Sequence, residues 1–407
     1  MKQQREFPSV IITKKQERSL KEGHPWVYED EIIEQNGIVG NGGLVDVVSE
    51  KGSYLGTGLF SETSKIRIRI LDRNANEKFS DAFFARRVRY ALDYRYAVMG
   101  EDIRACRVIH GEADGLPGVT VDRYNDILVS EILSYGMEQR KDVLYEALIQ
   151  EFEARGEVIS GIYERNEGDL RKKEGLECYK GWAKFIRPIP ASCITEIVEN
   201  GIRYEVDVEN GQKTGFFLDQ KYNRRAIRSI SKGRTVLDCC THTGSFALNA
   251  ASAGAAHVTA ADISETAIAM AKANAERNGL MDRMEFVCAD VFELLEELRS
   301  QPRIYDMIIL DPPAFTKSRK TFHAAKGGYR RLNAAAMRLL PRGGYLVTAS
   351  CSHFMPEQEF RSMLKEAAMD AGVSLRIVEV RHASPDHPVL ISVPETSYLK
   401  LFILQIV

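Results

Sequence analysis

The chain has 407 residues, enough for two or three domains with substantial cores. Its 55 basic and 57 acidic residues leave a formal charge of −2, which excludes a global field drawing the molecule onto a polyanion. Its seven cysteines (106, 178, 193, 239, 240, 288 and 351) form no CxxC pair, which speaks for a reducing cytoplasm and against a disulfide framework or a metal site.

The opening MKQQREFPSV lacks the apolar core of a signal peptide. Residues 1–73 then alternate short strands with turn glycines, in SVIIT, GGLVDVVSE, YLGTGLFS and KIRIRILDR, the spacing of a small β-rich barrel or sandwich. In KIRIRI, Lys65, Arg67 and Arg69 alternate with isoleucines, giving one apolar and one cationic face. That pattern suits a charge-guarded edge strand as well as a strand facing a polyanion. Residues 74–200 combine a basic helix (FFARRVRYALDYR), strands near 104–109, 118–123 and 126–133, and a helix, MEQRKDVLYEALIQEFEARG, that stops at Gly156. They predict a compact α+β module without a catalytic constellation.

From 201 to 407 strands and helices alternate. TVLDCC precedes SFALNAASAG, HVTAAD precedes SETAIAMAKANAERNG, EFVCAD precedes VFELLEELRS, and YDMIILD and GYLVTAS are each followed by a loop and a helix. Two late strands, SLRIVEV and SYLKLFILQIV, complete a predicted doubly wound, Rossmann-like α/β sheet. The stretch SFALNAASAGAAHVTAA carries Asn249 and His257 and is a poor membrane span.

Strand ends of such sheets carry the chemistry. Asp238 stands near the first, and Gly244 marks the following helix start, where backbone and free N–H groups approach a ligand. Neither GxGxxG nor GxxxxGK[ST] is present, which disfavours NAD and a bound phosphate. Asp262 ends the second strand, suited to ribose hydroxyls, and Asp290 the third. Acids after three consecutive strands form the pattern of a class I S-adenosylmethionine methyltransferase. Asp238, Thr241, Gly244, Asp262, Ile263, Asp290 and Val291 are its expected cofactor cradle. The next two strand ends offer Asp311, in DPPAF, and Cys351, in ASCSHF. A thiol opposite an Asp-Pro-Pro loop suggests covalent chemistry on a pyrimidine. From Pro312 to Pro356 there is no acidic residue, while Lys317, Arg319, Lys320, Lys326, Arg330, Arg331, Arg338 and Arg342 interleave with Phe315, Phe322 and Tyr329. Cations and rings suit an extruded base and its strand.

Nearly the whole chain resembles the bacterial 23S rRNA cytosine-5 methyltransferase I group. The resemblance is carried by GHPWVYEDEI (23–32), GEADGLPGVTVDRY (111–124), KTGFFLDQKYNR (213–224), DPPAF, SCS and DHPV…E…YLK (386–400). It implies an RNA-binding PUA domain over 1–73, a central α+β domain over 74–200, a catalytic domain over 201–407, S-adenosylmethionine as cofactor and 23S rRNA as partner. Through KTGFFLDQKYNR it implies that Phe217 covers the cofactor, with Gln220 and Arg224 reaching its methionine carboxylate. Cytosine C5 is too poor a nucleophile to take a methyl from a sulfonium unless a thiolate first adds at C6. Cys351 is the expected nucleophile, and Asp311, counted also among the cofactor residues, the expected partner of N3 and the exocyclic amine. Many RNA cytosine-5 methyltransferases hold a second cysteine in the Asp-Pro loop, but here Pro312, Pro313 and Ala314 fill it. The base that removes the C5 proton is thus not named by the sequence, and His353, two residues past Cys351, is one candidate. A guanine-modifying rRNA methyltransferase, needing no thiol, and a non-catalytic RNA-binding assembly factor remain the alternatives. A homodimer stays open.

Overall fold

In the computed structural model, the structure describes residues 6–184, 189–301, 305–316 and 319–407. The chain divides into two compact units. The first comprises Met1–Ile197, Val206–Leu218 and Pro385–Thr396, and the second Val198–Glu205, Asp219–Ser384 and Ser397–Val407. The expected cut at 201 is thus more involved, because 206–218 and 385–396 pack with the first unit. Among the described residues no helix is long and apolar enough to cross a membrane.

The first unit carries two sheets. The six-stranded one uses Ser9–Ile12, Trp26–Tyr28, Ile32–Asn36, Leu44–Ser49, Tyr54–Phe60 and Ile66–Asp72. Val10, Ile12, Val27, Val45, Val47, Ile68 and Ile70 form its core, so the apolar face of KIRIRI does point inward. Gly58 is required by close packing, since a Cβ there would lie 2.5 Å from the Arg69 carbonyl oxygen.

The five-stranded sheet runs in the order Tyr179–Trp182, Gly161–Asn166, Ile127–Ile132, Val119–Tyr124, Ala105–His110. Helices Asp81–Met99 and Lys141–Ala154 turn Phe83, Phe84 and Leu92, and Leu144, Leu148 and Phe152, into its core. Polar strings of the sequence become ties here. Arg107 grips Asp122 through two 2.8 Å bonds, and its backbone N–H donates to Asp386 Oδ2 at 2.8 Å. Arg95 donates to Asp114 and, at 3.0 Å, to the Asp386 carbonyl. GEADGLPG and DHPV are therefore parts of one buried network that binds 385–396 to this sheet.

The second unit is built on seven strands, labelled β1 (Thr235–Cys239), β2 (His257–Asp262), β3 (Met284–Cys288), β4 (Met307–Leu310), β5 (Tyr345–Ser350), β6 (Leu375–Arg381) and β7 (Lys400–Ile406). Their order is β3-β2-β1-β4-β5-β7-β6. The first five strands run parallel, and β7 enters antiparallel between β5 and β6. Strands such as Met307–Leu310 are buried on both faces because helices cover the sheet. The order reverses between β1 and β4, so the C-terminal ends of β1, β2, β4 and β5 flank one crevice, where such sheets bind ligands.

Candidate active site

The loop after β1 has an unusual backbone. Cys240 and His242 adopt positive φ of 62° and 51°, and Gly244, at 78°, starts helix Ser245–Ser252. A Cβ on Gly244 would stand 3.0 Å from Ala271 Cβ and 3.2 Å from its Cα, so glycine is dictated by packing as well as by φ. Buried Asp238 accepts from Thr241 Oγ1 (2.6 Å) and the Ala247 N–H (3.0 Å), both on Oδ2. Burial raises its carboxyl to about 7, with Asp311 and Asp262 adding to the rise and the two donors opposing it. Asp262 accepts the His242 N–H (2.9 Å) on one oxygen and the Ser264 N–H (3.0 Å) on the other, which couples the ends of β1 and β2. Asp290 caps helix Val291–Arg299, taking the Phe292 and Glu293 N–H groups at 2.8 and 3.3 Å.

Two buried oxygens of β1 and its loop are left over. Among the described residues, Asp238 Oδ1 and Thr243 Oγ1 have no hydrogen-bond partner, an arrangement that calls for donors from outside the protein. Just past Asp262 and Asp290, Ile263 is 70 % exposed and Phe292 is also exposed, while Val291 packs partly into the core. Acceptors at three strand ends suit an ammonium and ribose hydroxyls, and the apolar side chains suit an adenine ring. The residues present fit S-adenosylmethionine.

The ends of β4 and β5 form the second half of the crevice. The two strands pair in parallel, with Leu310 opposite Thr348, so Asp311 and Cys351 emerge from neighbouring strand ends on the same side of the sheet. Ser352 Oγ donates to the Thr316 carbonyl at 2.9 Å and ties the two loops together. Tyr329, fully buried on helix Phe322–Leu339, lies under both. Phe315 packs on its ring at a centroid separation of 4.5 Å, and its hydroxyl accepts from Ser350 Oγ at 3.1 Å. Burial pushes the Tyr329 phenol up to about 12, and the nearby negative charges of Cys351 and Asp311 contribute.

The segment 219–224 plays a different part from the expected one. Gln220 donates from Nε2 to Asp311 Oδ2 at 3.1 Å, and its Oε1 accepts from Asn223 Nδ2 at 2.6 Å. Asn223 is itself held by Arg381 Nε at 3.0 Å. Gln220 is therefore an orienter of Asp311, and Asn223 fixes its amide. Arg224 corrects the expectation of a hand for the methionine carboxylate. Its guanidinium is buried in a two-bond ion pair with Glu199, at 2.6 and 2.7 Å. Burial disfavours that charge, yet the Glu199 carboxylate holds it above the ordinary arginine range. Phe217 belongs to the first unit, half-buried, with Lys213 Nζ 4.7 Å from its ring centroid.

The cationic residues divide in the same way. Arg67 pairs with Glu29, Arg69 is buried against Glu174 at 2.8 Å, and Arg330 holds Asp370 through bonds of 2.6 and 2.7 Å. Lys65, Lys320 and Arg331 are exposed. Lys317 lies outside the described residues, and Arg319 opens a short 3-10 turn, Arg319–Thr321. Sequence reasoning gave no role to Asn223 or Lys400, and it cast Tyr329 as a ring for the RNA strand, where the ring is buried core. Each of the three also bonds to a residue more than twenty positions away, Asn223 to Arg381, Tyr329 to Ser350 and Lys400 to Ser352, so only the folded chain brings them to the site.

Residues 185–403 match the family described as S-adenosylmethionine-dependent methyltransferase, and residues 10–73 match the PUA-like domain family. The chain is similar to the ribosomal RNA large subunit methyltransferase I of Klebsiella pneumoniae (strain 342), at 37 % identity over 398 residues covering 97 % of this chain and 98 % of the relative. It is also similar to the protein of that name from Shewanella denitrificans, at 41 % identity over 387 residues covering 94 % and 96 %. Among solved structures, a SAM-dependent methyltransferase from Streptococcus mutans superposes with a TM-score of 0.81, covering 98 % of this chain and 99 % of that one at 22 % identity, which shows a common fold. S-adenosylmethionine is accordingly the cofactor, and the chain belongs to the ribosomal RNA large subunit methyltransferase I family, with a PUA-like domain ahead of a Rossmann-like catalytic domain.

Proposed function

We propose that the protein methylates C5 of a cytosine in large-subunit ribosomal RNA through a covalent bond between Cys351 and C6. The activity for which its relatives are named supports the substrate class. The observation that carries the mechanism is the pairing of β4 and β5, which sets a carboxylate and a thiol at adjacent strand ends with their loops joined by the Ser352–Thr316 bond.

The Cys351 thiolate adds to C6, the C5=C6 π pair moves onto C5 and makes it nucleophilic, and the Asp311 carboxylate accepts from the exocyclic amine and holds the base in place. The cofactor held at Asp238 and Asp262 would supply an electrophilic sulfonium methyl to C5, the S–CH3 bonding pair remaining on sulfur as a neutral thioether. A base then removes the C5 proton, the electron pair re-forms C5=C6, and the Cys351–C6 bond breaks. Gln220 keeps Asp311 oriented throughout. Asp238 and Thr243 receive the cofactor's donors, Asp262 takes the ribose hydroxyls, and Ile263 and Phe292 face the adenine. The test of the product is to methylate a large-subunit rRNA transcript and map the modified nucleoside. A methylated guanine in place of 5-methylcytosine would overturn the assignment.

Asp262→Ala is expected to weaken S-adenosylmethionine binding by about 2–3 kcal/mol, from the loss of charge-assisted hydrogen bonds to the ribose. Calorimetry giving wild-type affinity would remove Asp262 from the cofactor site.

Neutralising Lys317, Arg319 and Lys320 together is expected to weaken RNA binding and leave cofactor affinity unchanged. The salt dependence of RNA binding should flatten by about 0.7 for each single-strand phosphate that is no longer neutralised. An unchanged slope would make this basic run a solvated face.

A further inference from the structure

Lys400 opens β7 directly opposite Ser350, the last residue of β5 before Cys351. It is only 4 % exposed. Its Nζ donates to the carbonyls of Ser352 at 2.6 Å and Met355 at 2.5 Å, both in the turn that carries Cys351. Two of three ammonium hydrogens are thereby committed to the backbone of that turn. A neutral donor would satisfy the same carbonyls without the cost of burying a charge. A cation kept there is useful if a neighbouring anion gains from it, and two face it: the Cys351 thiolate and the Glu357 carboxylate. Glu357 already has partners in His382 at 2.8 Å and Arg361 at 3.5 Å. Tyr329, a neutral phenol through neutral pH, feels negative charge from both Cys351 and Asp311, and like charges at adjacent strand ends disfavour each other. Burial lowers Lys400 to about 8, and negative charge on Cys351 and Glu357 works to raise it again. The coupling is reciprocal, so an ammonium that gains from a thiolate also favours that thiolate.

Resting on the thiol mechanism proposed above, we infer that Lys400 is a positioning residue for Cys351. Its ammonium pins the 352–355 backbone and offsets the Asp311 charge, which favours the thiolate over the thiol. The nucleophile is then prepared before any base arrives.

Alkylation by iodoacetamide tests this in the full-length protein, with rates against pH followed by mass spectrometry of the Cys351 peptide. The exposed Cys178 serves as the internal reference. The wild-type Cys351 midpoint is expected to lie about one pH unit or more below that of Cys178. In Lys400→Met it should rise by about one unit or more, Cys178 should stay in place, and the alkaline-rising limb of kcat should move with it. A folded Lys400→Met protein with the wild-type Cys351 midpoint would overturn the inference. Should that variant fail to fold, a wild-type Cys351 midpoint at or above that of Cys178 would overturn it equally. The catalytic reading fails separately, if Cys351→Ala still turns over, because the alkylation curve requires no substrate.

Discussion

The Cys351→Ala enzyme is expected to lose turnover by more than about 10⁴-fold, the scale on which removing a covalent nucleophile acts, while binding S-adenosylmethionine as the wild type does. The thiol emerges at the end of β5, next to the Asp311 loop, whereas the acceptors proposed for the cofactor, Asp238 Oδ1 and Thr243 Oγ1, belong to β1 and the loop that follows it. Chemistry and cofactor binding should therefore separate cleanly. Substrate RNA with 5-fluorocytosine at the target should trap the wild-type enzyme as an adduct that survives a denaturing gel. Fluorine does not leave C5 as a proton does, so elimination stalls after methylation. Trapping should need S-adenosylmethionine and vanish in Cys351→Ala. The other cysteines give a graded control. Cys239 is fully buried, so its loss should cost stability, while exposed Cys288 should be replaceable at little cost, contrary to what its place in EFVCAD suggests. Near wild-type turnover by Cys351→Ala would end the covalent mechanism and favour the guanine alternative.

Glu199→Ala should be strongly destabilising, by about 3–5 kcal/mol, because it strands a buried guanidinium. Both partners are essentially excluded from solvent, at 0 % for the Glu199 side chain and 1 % for that of Arg224. The penalty comes from the unpaired charge, so replacing both residues by apolar ones of similar volume should recover much of the loss. Denaturant unfolding checks both statements. A Glu199→Ala protein within about 1 kcal/mol of wild type would return Arg224 to the candidates for the methionine carboxylate.

Much of this molecule is written locally. The alternation of buried strands with capped helices from 235 onward follows from side-chain periodicity, and the acids at 238, 262, 290 and 311 stand at strand ends because each closes an apolar run. Ser264 and Asp290 cap their helices as short-range chemistry dictates, through bonds to Ala267 and to Phe292 and Glu293. Gly244 could be placed from sequence because the turn it makes is local.

The pairing of charges was decided elsewhere. Arg224 looks like a cation at the edge of a ligand site until the fold brings Glu199 to it, and Arg330 belongs to an apparently uniform basic run until helix Glu357–Ala371 presents Asp370. Ion pairs depend on which elements become neighbours, and no periodicity encodes that. Strand insertion is non-local in the same sense. Lys400 is forty-nine residues beyond Cys351, and it reaches the turn beneath the thiol only because β7 enters antiparallel beside β5. The sequence by itself determined the elements, the strand-end acids and the thiol. The tertiary structure decided which cations are spent on internal partners and which residues hold Asp311 and Cys351, because those depend on segments that only the packed sheet brings together.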